Sequence, residues 1–302
     1  MDVLERYEPI VDDFDAFLEA CERPLPTTVR VNRLKTTVER TVEALESLGV
    51  GVERRSWNDR LLELDLETDK PGNTWPYFHG WFHVQEEVSA IPAFVLDPEP
   101  GQTVFDACAA PGSKTTQLAD LMDDRGLLVA NDANLGRLSA LRGNADRLGV
   151  TCAAVTNQDA RQFEFERFGR DAFDAALLDV PCSGEGTVRK NPDALQEAGR
   201  ETSESMAGLQ RHILRRAVNL TKPGGTVVYS TCTFAPEENE GVVDAVLDDC
   251  RLVDYDIGLD HDDGLTEWND AEYDESMTKA KRFYPHQNDA GGFFTAKLEV
   301  RA

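Results

Sequence analysis

Gly101-Gln-Thr-Val-Phe105-Asp-Ala-Cys-Ala-Ala110-Pro-Gly-Ser-Lys-Thr115 is the stretch whose reading decides the fold. Thr103–Ala107 reads as a strand, Cys108–Gly112 as a loop of small residues, and 114–123 as a helix. Downstream, strands at Leu127–Asn131, Cys152–Thr156, Phe173–Asp179, Thr226–Ser230 and Leu252–Tyr255 alternate with helices at 135–148, 203–220 and 237–249. Such alternation predicts an α/β domain with a doubly wound parallel sheet. The last strand, Gly292–Val300, is expected to run antiparallel and to insert near the sheet edge. Upstream, Leu4, Tyr7, Ile10, Val11, Phe14 and Phe17 recur at helical spacing and predict one amphipathic helix over residues 1–20. A small β-α-β-β unit follows: strand Val29–Leu34, helix Thr37–Leu48, then strands Gly51–Trp57 and Leu61–Leu66. Residues 68–83 form a connector rich in Gly, Pro and aromatics, and Gln85–Leu96 a short helix. The chain therefore divides into a small α+β domain, 1–98, and a sheet domain, 99–302.

Composition narrows the setting. The N-terminus lacks the basic and apolar regions of a signal peptide. The longest apolar run, Ala90–Leu96, is too short to cross a bilayer. A soluble cytoplasmic protein with no membrane partner is expected. The six cysteines show no CxxC pair and no metal spacing, so free thiols and no metal site are expected. The net charge of −25 is opposite to that of an ordinary nucleic-acid binder. Scarce Lys and acids spread along the whole chain fit a salt-adapted, halophilic surface, where a Debye length of about 3 Å leaves only short-range contacts. Locally the balance reverses: Thr27–Arg40 carries Arg30, Arg33, Lys35 and Arg40 against Glu39 alone. By contrast, Asp254–Ser276 has ten acids and no Lys or Arg.

The loop after the first strand lies where ligands of such sheets bind, at the carboxyl ends of strands near the switch point. It lacks G-x-G-x-x-G, and Ser113 separates Gly112 from Lys114, which argues against nicotinamide and P-loop sites. The second strand ends in Asn131-Asp132, and an acid there can accept both hydroxyls of a ribose. Two further strands end in cysteines: Asp179-Val180-Pro181-Cys182-Ser183-Gly184 and Ser230-Thr231-Cys232-Thr233. A lone free Cys is usually a small buried hydrophobe. Two thiols leaving adjacent strands on the cofactor edge point instead to chemistry.

These segments, with Glu237-Glu238-Asn239-Glu240, Pro285-His286 and Gly291-Gly292-Phe293-Phe294, resemble the NOP/Sun family of RNA cytosine-5 methyltransferases over about residues 26–302. The resemblance implies a methyltransferase-type Rossmann sheet, S-adenosyl-L-methionine as cofactor, and RNA as partner. It implies Cys232 as nucleophile and Cys182 as the thiol that assists product release. It places Cys108, Ala109, Ala110, Pro111, Gly112, Ser113, Lys114, Asp132, Arg137, Asp159 and Asp179 around the cofactor; Ser113 stands where the family commonly has Gly. The chemistry accounts for the thiols. Carbon 5 of cytosine is a poor nucleophile until a thiolate adds to carbon 6, and an acid near ring nitrogen 3, for which Asp179 is placed, steadies the adduct. A thiol with pKa about 8.5 is only a few per cent ionised at pH 7, so the site must activate it. A stacked base is out of reach, so the target is unpaired or flipped.

The short form ending Arg282-Phe-Tyr-Pro-His286 is most similar to archaeal tRNA-modifying members, so tRNA is the expected substrate, with rRNA the alternative. The N-terminal unit resembles the family's RNA-contacting domain, with Arg30, Arg33 and Lys35 meeting phosphates and Arg189 and Lys190 as further RNA contacts. A DNA enzyme is not expected, since it would use the Pro-Cys cysteine and carry a long recognition insertion. A non-catalytic RNA-binding module would have lost a cysteine or the cofactor loop, and both are present.

Overall fold

The computed structural model describes residues 3–66, 70–164 and 172–301. The expected single N-terminal helix is two pieces, a 3-10 turn at Leu4–Ile10 and α1 (Phe14–Glu22). Pro9 lies inside the 3-10 turn, and Asp13 adopts φ 51° to cap α1 through the Ala16 N–H; residues 1 and 2 of that expected helix lie outside the described residues. Next come β1 (Thr28–Val31), α2 (Val38–Glu46), β2 (Gly51–Arg54) and β3 (Leu61–Asp65). The expected connector, of which 68 and 69 lie outside the described residues, contains α3 (Trp75–Phe78) and a strand, β4 (Phe82–Val84). Three residues are too few to show alternation, so only its antiparallel pairing with β1 reveals it. The resulting sheet has the order β2-β3-β1-β4. The expected helix from Gln85 starts later, as a 3-10 turn at Val88–Ala90 leading into α4 (Ile91–Leu96), whose second residue is Pro92.

The large sheet is built from β5 (Thr103–Asp106), β6 (Leu127–Asn131), β7 (Ala153–Thr156), β8 (Phe173–Asp179), β9 (Thr221–Thr231), β10 (Cys250–Leu252), β11 (Asp262–Asp263), β14 (Lys281–Phe283) and β15 (Phe293–Val300). The hairpin β12 (Glu267–Trp268) and β13 (Ala271–Glu272) stands apart. Helices α5 (Ser113–Leu121), α6 (Leu138–Leu148), α7 (Ala194–Glu197), α8 (Arg200–Leu220), α9 (Glu240–Val243) and α10 (Pro285–Asn288) complete the chain. The strand order is β11-β14-β15-β9-β8-β5-β6-β7, with β10 also on β15. Strands β7, β6, β5, β8 and β9 are parallel, and winding reverses between β5 and β8, the switch point. β15 is antiparallel and inserted near the edge as expected, between β9 and the short outer strands β14, on its first half, and β10, on its end. The expected helix 237–249 shortens to α9 and a 3-10 turn, Asp244–Val246.

β8 shows why the sheet is buried on both faces. Leu178 packs with Phe105, Phe173 and Ile213 on one side, while Leu177 packs with Ile91, Leu118 and Leu128 on the other. Consecutive apolar residues in a parallel strand require cover on both faces. Among the described residues no helix is long and apolar enough to cross a membrane.

Candidate active site

Strand register brings the two thiols together. In the parallel β8–β9 pair Asp179 lies opposite Ser230, so the chain leaves both strands at the same height. Cys182 and Cys232 follow within three residues, and their Sγ atoms are 3.1 Å apart, both half-buried. The Gly186 N–H donates to the Cys232 carbonyl at 3.0 Å. A Cβ on Gly186 would lie 2.8 Å from that carbonyl and 2.3 Å from the Gly292 oxygen, so the approach requires glycine. Beside the thiols, Lys114 Nζ donates to Asp179 Oδ2 at 2.7 Å and to Ser89 Oγ at 2.8 Å. Ser230 Oγ donates to the other Asp179 oxygen at 3.2 Å.

The hydrogen bond with Cys232, reinforced by burial, pushes the Cys182 thiol well above its ordinary pKa. The two sulfurs are therefore within reach of a shared proton. Beneath them lies a buried polar network that sequence reading did not assign. Ser183 Oγ is 2.6 Å from Glu185 Oε2, 2.8 Å from Thr233 Oγ1, and also bonded to Glu238 Oε1. Glu238 Oε2 accepts the Ser183 N–H at 3.1 Å and the Gln210 amide at 2.7 Å, and Tyr7 Oη donates to Glu185 at 3.0 Å. Thr233 Oγ1 also donates to Glu185 Oε2, so the two hydroxyls can supply one donor to each carboxylate. Burial raises the Glu238 carboxyl, against hydrogen bonds from Ser183 and Gln210, and the charge of Glu185 adds to the rise. The only sequence signal was two acids placed among small residues next to the cysteines.

A cleft of about 220 Å³ opens at the carboxyl ends of β5 and β6, lined by Ala107, Cys108, Asp132, Arg137, Asp159 and Pro181, among others. Asp132 accepts the backbone N–H groups of Ala110 (3.1 Å) and Asn134 (2.8 Å) and lies 3.5 Å from Arg137, which in turn donates to the Ala110 carbonyl. Asp159 pairs with Arg161 at 2.5 Å. Burial pushes the Cys108 thiol up. The other predicted loop residues take supporting places. Ala109 and Ala110 pack against Leu138 and Leu141, and the Pro111 carbonyl accepts from Asn144. Gly112, at φ +107°, leaves no room for a Cβ beside Leu141. Ser113 Oγ bonds His83 Nε2 at 2.9 Å, and burial lowers that imidazole to about 3, keeping it neutral. Lys114 and Asp179 belong to the thiol side of the site rather than to the cleft.

Two expected RNA contacts are corrected. Arg30 is fully buried: β1 is covered on both faces, and Arg30 faces α5, donating to Gln85 Oε1 at 2.8 Å and Thr116 Oγ1 at 3.0 Å, with Asp120 at 3.5 Å. Arg189 is likewise buried, donating to the carbonyls of Arg23, Pro24 and Ala290 and to Asp289. Neither can reach a phosphate. Arg33, Lys35 and Lys190 are exposed, and Lys35 Nζ is anchored on the Arg147 carbonyl at 2.8 Å.

A doubly wound sheet with a late antiparallel strand beside β9, and a cleft at its switch point, defines a Rossmann-type methyltransferase fold. The chain belongs to the family described as 16S rRNA methyltransferase RsmB/F, whose model matches residues 93–299, preceded by a match of 5–69 to the Methyltr_RsmF/B-like, ferredoxin-like domain. It is 37% identical to Ribosomal RNA small subunit methyltransferase F of Aeromonas hydrophila over 94% of this chain and 60% of that protein. It is also 37% identical to the human 28S rRNA (cytosine(4447)-C(5))-methyltransferase over 94% of this chain and 35% of that protein. The chain thus spans about 60% or less of the length of these curated relatives. The solved methyltransferase homolog protein from Pyrococcus horikoshii is 32% identical and superimposes with a TM-score of 0.83, covering 100% of this chain and 99% of its own. The structure of NSun6 from the same organism with SFG, 23% identical over 98% and 97% of the two chains, shares the fold at a TM-score of 0.83.

Proposed function

We propose that this chain is an S-adenosylmethionine-dependent methyltransferase that makes 5-methylcytosine in ribosomal RNA, with Cys232 as nucleophile and Cys182 as its proton partner. The observation that carries the reading is the pair of thiols held 3.1 Å apart beside the Lys114–Asp179 ion pair. Ribosomal RNA is favoured because the curated relatives are named for it; the tRNA preference expected from the sequence has no counterpart in those names. The division at residues 98 and 99 belongs to the proposal, since β4 completes the small sheet.

The cleft suits the cofactor. Small Ala107 and Cys108 let a nucleoside lie against the backbone, and Asp132 keeps lone pairs free for ribose hydroxyls, flanked by Arg137 and Asp159. When bound, S-adenosylmethionine supplies an electrophilic methyl group. The Cys182 hydrogen bond stabilises Cys232 as a thiolate, which adds to carbon 6 of cytosine. The displaced electron pair makes carbon 5 nucleophilic, while a proton passed from Lys114 through the one-third-exposed Asp179 to ring nitrogen 3 neutralises the charge that develops there and returns on elimination. After methylation, carbon 5 loses its proton to solvent, the carbon 5–carbon 6 double bond re-forms and Cys232 departs as thiolate. Cys182, with its proton beside that sulfur, stabilises the departing charge.

Purified chain is incubated with methyl-labelled cofactor and either rRNA or tRNA, then run on a denaturing gel. Label as 5-methylcytosine in rRNA, no adduct with Cys232→Ala, and RNA-trapped protein with Cys182→Ala are expected. Trapping by Cys232→Ala instead would exchange the two roles, and label confined to tRNA would overturn the substrate.

A further inference from the structure

The large apolar side chains exposed among the described residues are Leu48, Trp75, Phe78, Val84 and Leu135, and three of these five fall between residues 75 and 84. Phe78 is 68% exposed and Trp75 40%, an unusual clustering for a surface as acidic as this one. The patch is ordered. Trp75 meets Trp81 edge-on at 4.8 Å and His79 at 5.7 Å, and the Arg40 guanidinium lies 5.1 Å over the Trp81 ring. The turn carrying Arg33 and Lys35 joins it around the end of α6. Asn32 Nδ2 donates to both the Gly80 and Leu148 carbonyls, and Lys35 Nζ donates to that of Arg147. Of the neighbouring acids on α2, Glu39 lies 3.7 Å from Arg54, and Glu43 is one turn away in sequence.

From this patch the edge strand β4 leads toward the thiols. Val84 is exposed on it, and Glu86, just beyond, accepts the Gly291 N–H at 2.8 Å. Gly291 borders Gly186, whose N–H is bonded to the Cys232 carbonyl. A groove of about 280 Å³ runs beside the end of β4, lined by Pro26, Thr28, Val84, Glu86 and Lys190 among others. At about 3.3 Å per residue, Phe82 to Glu86 spans roughly 13 Å.

We propose that Trp75 and Phe78, flanked by Arg33, Lys35 and Arg40, form a stacking platform for unpaired nucleobases of the RNA substrate, with β4 as the track to the active site. The inference rests on the RNA reading above. Every base has a π-face, so aromatic side chains bind single strands without reading sequence, and arginine adds a cation–π contribution. Stacking is short-ranged. It works on a chain of net charge −25, where a long-range field would repel phosphates, and it tolerates salt as phosphate contacts do not.

The test uses the full chain and two labelled probes of equal length, an unstructured RNA oligonucleotide and an RNA duplex, with anisotropy read at low and high salt. Trp75→Ala/Phe78→Ala is expected to weaken oligonucleotide binding by roughly tenfold at both salts and to spare the duplex. Arg33→Ala/Lys35→Ala is expected to flatten the salt dependence. If the double aromatic variant melts early, Phe78→Ala alone, at a largely exposed position, decides the matter. Unchanged oligonucleotide affinity, or equal loss on both probes, overturns the platform while the RNA reading stands. A variant that only abolishes self-association of the wild type also overturns it, making the patch a contact between copies. Wild-type protein that neither binds nor methylates RNA refutes the parent reading, and the platform with it.

Discussion

Arg30→Ala separates a structural arginine from an RNA-binding one. The side chain is fully buried and bonded to Gln85 and Thr116, with Asp120 at 3.5 Å. Burial lowers its pKa only to about 10, so it remains charged at neutral pH. Removing one member of a buried ion pair costs about 3–5 kcal/mol, because the survivor keeps an uncompensated charge. Asp120 would retain Arg60, also at 3.5 Å, which favours the lower end, whereas the orphaned Gln85 carbonyl adds about 1 kcal/mol. A net loss of about 4 kcal/mol corresponds to a fall in Tm of about 10 °C for a chain of this size. Calorimetry or circular dichroism reads it, with Arg33→Ala and Lys35→Ala, at exposed positions, as controls within about 0.5 kcal/mol of wild type. Arg30→Ala/Asp120→Asn is expected to recover part of the loss, since it removes the stranded charge. A wild-type Tm combined with a raised KM for RNA would refute the reasoning and return Arg30 to the surface.

Asp132→Ala is expected to weaken S-adenosylmethionine binding by about 1.5–3 kcal/mol, and unchanged calorimetric affinity would remove it from the cofactor site. Glu238→Ala leaves the Ser183 N–H and one of the two Gln210 amide hydrogens without an acceptor, the other staying on the Pro181 carbonyl, which costs about 3 kcal/mol and the covalent adduct, whereas Glu238→Gln keeps an acceptor and the adduct. Full turnover by both variants would show that the network does not hold the thiols. The Asp106 carboxyl is raised to about 7 by burial and the charge of Asp179, against a hydrogen bond from Thr115. The folded state therefore binds the extra proton, and its stabilising effect, complete below pH about 4, is lost as pH rises through about 7. Asp106→Asn is expected to flatten the fall in Tm between pH 5 and 8; parallel curves for the two proteins would contradict the assignment.

Much of this site was legible because its residues sit at strand ends. Hydrophobic runs such as Phe173–Asp179 and Thr226–Ser230 mark the strands, and the residues that follow must emerge on one edge. Cys182, Cys232, Asp179 and Asp132 could be placed that way. What failed depended on the third dimension. Arg30 reads as a cation on a solvated strand, but α5 supplies Thr116 and Asp120 from a distant part of the chain. Arg189 likewise finds its carbonyls at Arg23, Pro24 and Ala290. β4 and β14 are three residues each, too few to show a repeat, and exist because neighbouring strands offer them hydrogen bonds. Glu238 lies inside a quoted motif and Glu185 directly follows another, but their shared serine appears only when two loops meet.

The place of β15 bears on how the molecule is made. β9 leaves the sheet at Thr231, yet its antiparallel partner begins only at Phe293. Until that distant segment has been synthesised, β9 has an unpaired backbone edge beside Cys182 and Cys232, the kind of exposed edge that invites aggregation. The same late segment supplies Gly291 and Gly292, which close over Gly186 and hold the Cys232 loop. The parallel half of the sheet can therefore condense before β15 exists, whereas the Cys232 loop is held only once β15 has been made.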